Sequence, residues 1–307
     1  MFRTIRGDGV AKIEYDPVKD RLASMVRGSS FLRRLFYALL DLLFLRSWHM
    51  RKVIVGQGLR FEELGKWKLL DAGSGFGQYD RFLLDRFCGL EITALDVKEK
   101  YLEDCRDYFK KERKAGRIRF RLADLREIDF GPTFDMAICI DVLEHIDEDL
   151  EVIRRISDSL KPGGVFLMHS PSHLSEEDGG EEDSFVGEHA RPGYSAEEIS
   201  DKLKRCGLEP IRVRYTYGRF GHLAWTLSVR NPMIWLNRTG IWGLLPLLIY
   251  YPFIIIPSLF LNLADLWRED GSGTGILAIG QKVPRTGFEP PEHRYGSGGR
   301  PRYIVQT

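Results

Sequence analysis

The residues best suited to chemistry are acids and glycines spaced along the first half of the chain. Asp71-Ala72-Gly73-Ser74-Gly75-Phe76-Gly77 joins one carboxylate to three glycines at alternate positions. Glycines in such a run let the backbone turn tightly and let a ligand approach the main chain closely. A second acid, Asp96, lies 25 residues beyond Asp71. That spacing suits a carboxylate that hydrogen-bonds a ribose in a nucleotide-binding βαβ unit. Asp124 follows in Ala123-Asp124-Leu125, and Asp141 opens Asp141-Val142-Leu143-Glu144-His145. A dinucleotide fingerprint needs Gly-x-Gly-x-x-Gly. Here the third glycine falls one position early and Gln78 stands in its place, which disfavours a nicotinamide oxidoreductase.

Strands must present these groups. Trp67 to Leu70 reads as a short buried strand and Tyr79 to Phe87 as a helix with Phe82, Leu83 and Leu84 apolar. Strand, glycine turn and helix together make a crevice at the carboxyl end of the strand. Glu91–Asp96 reads as the second strand, Glu99–Lys114 as a helix and Arg117–Leu122 as the third strand. Phe134–Ile140 is a near-continuous apolar run, as expected of a buried parallel strand. The helix Glu148–Leu160 is stopped by Lys161-Pro162-Gly163-Gly164, before a fifth strand Val165–His169. Ser195-Ala196-Glu197-Glu198 is a capping box that opens a helix to about Cys206, which Gly207 ends. Leu208–Tyr217 reads as the sixth strand and Gly275–Lys282 as the last.

In order and spacing, the Asp71 glycine run, Asp96, Ala123-Asp124-Leu125, Asp141–His145 and Leu160-Lys161-Pro162-Gly163-Gly164 resemble the motifs of class I S-adenosylmethionine (SAM) dependent methyltransferases. The likeness is to the small-molecule type of ubiquinone and menaquinone biosynthesis (methyltransferase type 11/12), over residues 67–170. It implies an α/β, Rossmann-like seven-stranded sheet of order 3-2-1-4-5-7-6, strand 7 antiparallel; where that fold needs only a hairpin between strands 6 and 7, this sequence departs from it and places an apolar helical insert. It implies SAM as cofactor. Asp71 and the loop of Gly73, Ser74, Gly75 and Gly77 would hold the amino-acid end, Asp96 the ribose, and Asp124 and Leu125 the adenine. Tyr79, Val97, Ile140 and Asp141 complete the implied cofactor set.

If the acceptor is a hydroxyl, a base helps remove its proton. The candidates near strands four and five are Asp141, His145, His169, His173 and His189, with His145 first. In many relatives the Glu-His pair only shapes the loop, and that alternative stays open. Asp141-x-x-Glu144-His145 with His189 also resembles the Glu-x-x-Glu-His…His site of metal-dependent O-methyltransferases. Asp in place of the first Glu shortens the reach, and no metal is assigned.

The chain has 307 residues, 45 basic and 44 acidic, so no global field marks it as a nucleic-acid binder. Cys88, Cys105, Cys139 and Cys206 are scattered, which argues for a reducing compartment and against structural zinc. The first thirty residues are charged and lack the apolar core of a cleavable signal peptide. The expected organisation is a lead-in and apolar helix over 1–55, a SAM-binding domain over 56–218, an apolar insert over 219–270, the last strand within 271–283, and a disordered tail over 284–307. A short helix is expected around Lys19–Val26 and a longer one over Phe31–Val55. The acidic stretch Ser172–Gly187 is a solvated loop or a lid.

Ile241–Leu261 carries no charge and is long enough to span a bilayer as a helix. Both ends of the insert join strands of one sheet, which argues against a single crossing. Pro246, Pro252 and Pro257 interrupt helical bonding, so short broken helices on or in one leaflet are expected. Trp235, Trp242, Tyr250, Tyr251 and Trp267 suit an interfacial belt, and Arg212, Arg214, Arg219, Arg230 and Arg238 suit anionic headgroups. Membrane contact is assigned to 231–266. The helix over 31–45 either packs on the domain edge or lies in the interface as well. The resulting reading is a cytoplasmic methyltransferase, peripherally or monotopically membrane-associated, acting on a small amphipathic or lipid-like acceptor. The alternatives are a methyltransferase of a soluble small molecule, with the insert as tether or dimer interface, and a SAM-binding scaffold without acceptor chemistry.

Overall fold

The apolar run Phe134–Ile140 becomes β4, hydrogen-bonded on both sides and covered on both faces. The computed structural model describes residues 30–178, 191–268 and 270–283. The expected helix near Lys19–Val26, His189, most of the acidic stretch and the tail lie outside the described residues. With β4 in the sheet are β1 (Trp67–Ala72), β2 (Leu90–Asp96), β3 (Ile118–Leu122), β5 (Leu160–Pro171), β6 (Leu208–Thr216) and β7 (Gly275–Lys282). Their order is β3-β2-β1-β4-β5-β7-β6. All neighbours pair parallel except β7, which runs antiparallel to β5 and β6. This is the order and direction the sequence predicts. β5 is longer than expected and takes in Lys161–Gly164, with a register shift between Phe134 and Met136 absorbing the extra residues.

Side chains on a strand alternate between faces, and the core divides accordingly. Leu70, Ala72, Ala137, Cys139, Phe166 and Met168 pack with Val152, Ile153 and Ile156 of α6 (Asp149–Ser159) and with Leu203 of α7 (Ala196–Arg205). Leu69, Ile92, Met136, Ile138, Val165 and Leu167 face the other way. They meet Met50 and Ile54 of α2 (Leu45–Glu62), Leu83 of α3 (Gln78–Arg86), Leu102 of α4 (Glu99–Tyr108) and Phe109, which leads into the short α5 (Lys110–Lys114). Glu198 N–H donates to Ser195 Oγ at 3.1 Å, capping α7 as its capping box predicts.

Two expectations need correction. The single N-terminal helix is two, α1 (Ser30–Leu43) and α2, broken where Phe44 adopts an extended backbone. The break lets α1 cross the glycine loop while α2 packs on the sheet. The insert is a helical hairpin, not a set of short broken helices. One arm is α8 (Arg219–Trp225), a π-turn over Thr226–Arg230, and α9 (Asn231–Thr239); a 3-10 turn at Gly240–Gly243 leads into α10 (Leu244–Trp267).

The prolines explain the hairpin's irregularities without ending its helices. Pro232 has no N–H to offer the Ser228 carbonyl, and the turn there widens to π geometry. The hydroxyls of Tyr250 and Tyr251 on α10 donate to the carbonyls of Leu227 and Ser228 at 2.8 and 3.0 Å. Those two phenols are thus spent inside the hairpin rather than at an interface. Pro246 sits in the first turn of α10, where a missing N–H leaves nothing unpaired. Pro252 and Pro257 lie inside the helix and each remove one bond, which packing against α8 outweighs.

Candidate active site

β1 ends at Ala72 and the chain turns through Gly73–Gly77 into α3. Gly73 and Gly77 have φ of 88° and 73°, backbone that favours glycine. A Cβ at Gly73 would overlap the Val142 side chain, and one at Gly77 would lie 2.8 Å from the Phe109 ring. Gly75 N–H donates to Asp96 Oδ2 at 2.8 Å and Lys98 N–H to Oδ1 at 2.8 Å, tying the loop to the end of β2.

Beside this loop, at the carboxyl ends of β1, β2 and β4, lies a cavity of about 360 Å³. Its wall includes Asp71, Gly73, Ser74, Gly75, Tyr79, Asp96, Val97, Asp124, Leu125, Ile140, Asp141 and His145. Gly77, also expected at the cofactor, is not in the wall; it starts α3 against Phe109 and Cys105.

The groups present fit SAM. Asp71 and Asp80 are buried side by side. Burial, then the charges of Asp80 and Asp96, pushes the Asp71 carboxyl well above the usual range. Burial likewise raises Asp80, to about 7. Asp80 shares a hydrogen bond with Asp71, and among the described residues no other group bonds its oxygens or the hydroxyl of Ser74. An ammonium group at Asp71 would relieve this unsatisfied acid pair. Asp96 is part of the wall, and a carboxylate there suits a vicinal diol. Asp124 is engaged by Arg126, with Nη2 2.6 Å from Oδ2, and this hydrogen bond holds its carboxyl below the usual range. Arg126 shares the wall, so an adenine amino group at Asp124 would share the carboxylate with it.

Asp141 ends β4 with a left-handed backbone, φ 51°. Its carboxylate pairs with Arg46 and accepts from His169 Nδ1–H at 2.7 Å. The Thr216 hydroxyl is 3.1 Å from His169 Nε2 and donates to it in that tautomer. Burial, then the charges of Arg46 and Arg214, pushes His169 down to about 3, so the ring is neutral. His169 is thus a buried support for Asp141, outside the cavity wall. His145 closes the short turn Leu143–His145 and does line the wall. His173 lies away from it, 3.4 Å from the Tyr194 carbonyl. Glu144 is buried and accepts from Ser170 Oγ at 3.0 Å. Among the described residues, no three His, Cys, Asp or Glu side chains converge to hold a metal.

Sequence reasoning missed the roof. Phe36, Leu40, Phe44 and Arg46, from α1, the break and the first turn of α2, complete the cavity wall. The Tyr37 hydroxyl donates to the Phe76 carbonyl. Arg33 donates to the same carbonyl at 3.0 Å and to the Asp104 carbonyl at 2.9 Å. Gln78 Nε2 donates to Asp41 Oδ1 at 2.6 Å. The available signal was charge in an apolar stretch: Arg33 and Asp41 sit there because they reach inward.

A family profile described as a methyltransferase domain matches residues 70–166. The chain is 29% identical over 150 residues to 27-O-demethylrifamycin SV methyltransferase of Amycolatopsis mediterranei, covering 47% of this chain and 54% of that one. It is 22% identical over 116 residues to the ubiquinone biosynthesis O-methyltransferase of Rickettsia canadensis, covering 38% and 48%. The matches span less than two thirds of the length of these curated relatives. Among solved structures, a Galdieria sulphuraria protein provisionally assigned as a sarcosine dimethylglycine methyltransferase superposes with a TM-score of 0.52 at 19% identity, over 77% of this chain and 86% of that one. This last likeness concerns the fold. Family match, strand order and the acid-lined cavity agree that the chain carries a methyltransferase domain of the class I, S-adenosylmethionine-dependent kind.

Proposed function

We propose that the chain transfers a methyl group from SAM to a small amphipathic or lipid-like acceptor at a membrane surface. The observation that carries the acceptor class is the orientation of α10. Its polar stripe, Ser258, Asn262 and Asp265, is buried against the protein, while Leu245, Leu248, Ile249, Phe253 and Phe260 are 69–75% exposed. The helix is long and apolar enough to cross a membrane. An apolar face of this size is unfavourable in water and favourable against lipid. Arg214, expected at headgroups, instead turns inward to His49 Nδ1; Arg219 and Arg238 remain exposed.

SAM supplies a methyl group already activated on a sulfonium. The chain's work is to bind, align and exclude water. The Asp71–Asp80 pair attracts the ammonium end and Asp96 accepts from the ribose hydroxyls. Phe36, Leu40 and Phe44 shield the cavity from above. Arg46 neutralises Asp141 and His169 braces it, fixing the end of β4. His145, on the same wall, takes the proton of an acceptor hydroxyl.

The test is incubation with methyl-labelled SAM and either a membrane lipid extract or the soluble metabolites of the same cells. Label entering lipid supports the reading. Label entering only soluble metabolites leaves methyl transfer standing and reduces the hairpin to a tether or dimer interface. SAM binding with no label in either fraction favours a scaffold.

A further inference from the structure

The geometry points to α1 as a bilayer-facing lid: its inner side roofs the cavity and its outer side lies in anionic phospholipid. This rests on the membrane reading above and extends it to the route by which an acceptor enters. Two sides of one helix carry the argument. Arg33, Phe36, Tyr37 and Leu40 face inward, the first three buried and Leu40 on the cavity wall. Phe31, Leu35, Leu39 and Leu42, spaced four, four and three residues apart, face outward, with exposures from 36% to 73%. Residues at this spacing share one side of a helix. The helix is thus partly inverted relative to a soluble amphipathic helix, with Arg33 inside and Phe31, Leu35, Leu39 and Leu42 outside. A roof one helix thick separates the cavity from whatever covers those leucines.

What covers them is argued from continuity and charge. The carboxyl end of α1 runs directly into Leu45, which is buried against Gly221 of α8. Gly221 N–H donates to Asp265 of α10 at 3.0 Å, and Asp265 lies 3.1 Å from His49 Nε2 on α2. The base of the hairpin and the end of the lid are therefore one packed junction. α1 and the hairpin share a second feature: their exposed charges are basic. On α1 Arg34 is exposed, while Asp41 turns inward to Arg51 and Gln78. On the hairpin Arg219 and Arg238 are exposed, while Asp265 is buried. Two copies of such a surface would set arginine against arginine, whereas anionic headgroups complement it. The break at Phe44 gives the lid a hinge, because its backbone there is extended between two helices. Moving α1 outward would open the roof formed by Phe36 and Leu40 toward the acyl chains, so an acceptor with an apolar tail could enter without crossing water.

The test uses the full chain with its exposed Cys88 replaced by serine and single cysteines at Leu39, at Leu248 or, as a control, at Lys204. All three positions are exposed, so each label spares the core. Each carries a bimane fluorophore and is mixed with vesicles of phosphatidylglycerol and phosphatidylcholine containing doxyl-labelled acyl chains. The expected result is a blue shift and loss of emission at Leu39 and Leu248, and no change at Lys204. Quenching at Leu248 without quenching at Leu39 overturns the lid and leaves the hairpin as anchor. No quenching at either overturns both. Equal quenching at Lys204 means non-specific adsorption and also overturns the lid.

Discussion

Arg46 and Asp141 lie 95 residues apart in sequence and form an ion pair at the wall of the cavity. The pair joins the first turn of α2 to the end of β4. It also sets the charge of the site: Asp141 carries its counter-ion, and His169 behind it stays neutral. Arg46 N–H donates to the Tyr217 hydroxyl at 3.0 Å, so the same turn contacts the chain just past β6.

Arg46→Ala leaves a partly buried Asp141, on a left-handed backbone, with His169 as its remaining side-chain partner among the described residues. Hydrogen bonds to charged groups contribute about 1.5–3 kcal/mol, and urea unfolding should show a loss in that range. Methyl transfer should fall about tenfold or more in kcat/KM, because the wall loses its fixed geometry. Arg46→Lys should restore part of the stability, since charge returns without the planar fork. Wild-type stability and turnover in Arg46→Ala would remove the pair from both roles.

Asp96→Ala should weaken SAM binding by roughly 1.5–3 kcal/mol, the usual worth of a charged acceptor. Calorimetry reads this directly. The substitution also strips the Gly75 and Lys98 amides of their acceptor, so Asp96→Asn is the companion. It keeps an oxygen for one amide while losing the charge and the second acceptor. Affinity unchanged in both variants would place the ribose elsewhere.

The Asp71–Asp80 pair makes pH a probe of the cofactor's ammonium end. Asp80 has its carboxyl raised from 3.8 to about 7 by burial. A raised carboxyl favours the folded protein fully below its unfolded value, and that contribution is lost as pH rises through the folded value. Ligand-free protein should therefore lose stability between about pH 4 and pH 7 from this site. An ammonium ligand favours the ionised pair, so SAM affinity should rise as pH rises toward 7, by up to about tenfold per unit. Asp80→Asn should flatten both trends. A SAM affinity independent of pH in the native protein would show that the ammonium does not sit at this pair.

The central sheet and the cavity's acids were legible in the sequence because both are local. The run Phe134–Ile140 is buried on both faces whatever surrounds it, and Asp71 and Asp96 lie where strands end. β7 could be placed from its pattern despite the residues inserted before it. Arg46 and Phe36 were not legible: they reach the cavity only because the chain breaks at Phe44, and no residue there is a strong helix breaker. Nor was the hairpin's geometry. Pro232, Pro252 and Pro257 look alike in sequence, but the first widens a turn whose carbonyls Tyr250 and Tyr251 satisfy, while the others sit in a helix held by its neighbours. His169 read as a possible base because it follows a strand core; burial behind Asp141 makes it a support.

The two sides of α10 should respond oppositely to substitution. Leu248 and Phe253 are 71% and 75% exposed. Leu248→Glu with Phe253→Glu should therefore cost the fold little, since no core contact is removed, and SAM affinity should hold. Liposome flotation should be lost, because each charge would have to leave water at the depth of the acyl chains. Asp265 is 4% exposed, accepts from Gly221 N–H and contacts His49. Asp265→Ala leaves those groups buried without an acceptor, at about 1–3 kcal/mol for each. It should lower the unfolding midpoint and loosen the hairpin from α2 while leaving the apolar surface unchanged. Flotation retained by the double glutamate variant would mean that lipid is held elsewhere, with the outer side of α1 as the next surface to alter. Flotation lost in Asp265→Ala at full stability would mean that the junction, rather than the apolar face, governs membrane contact.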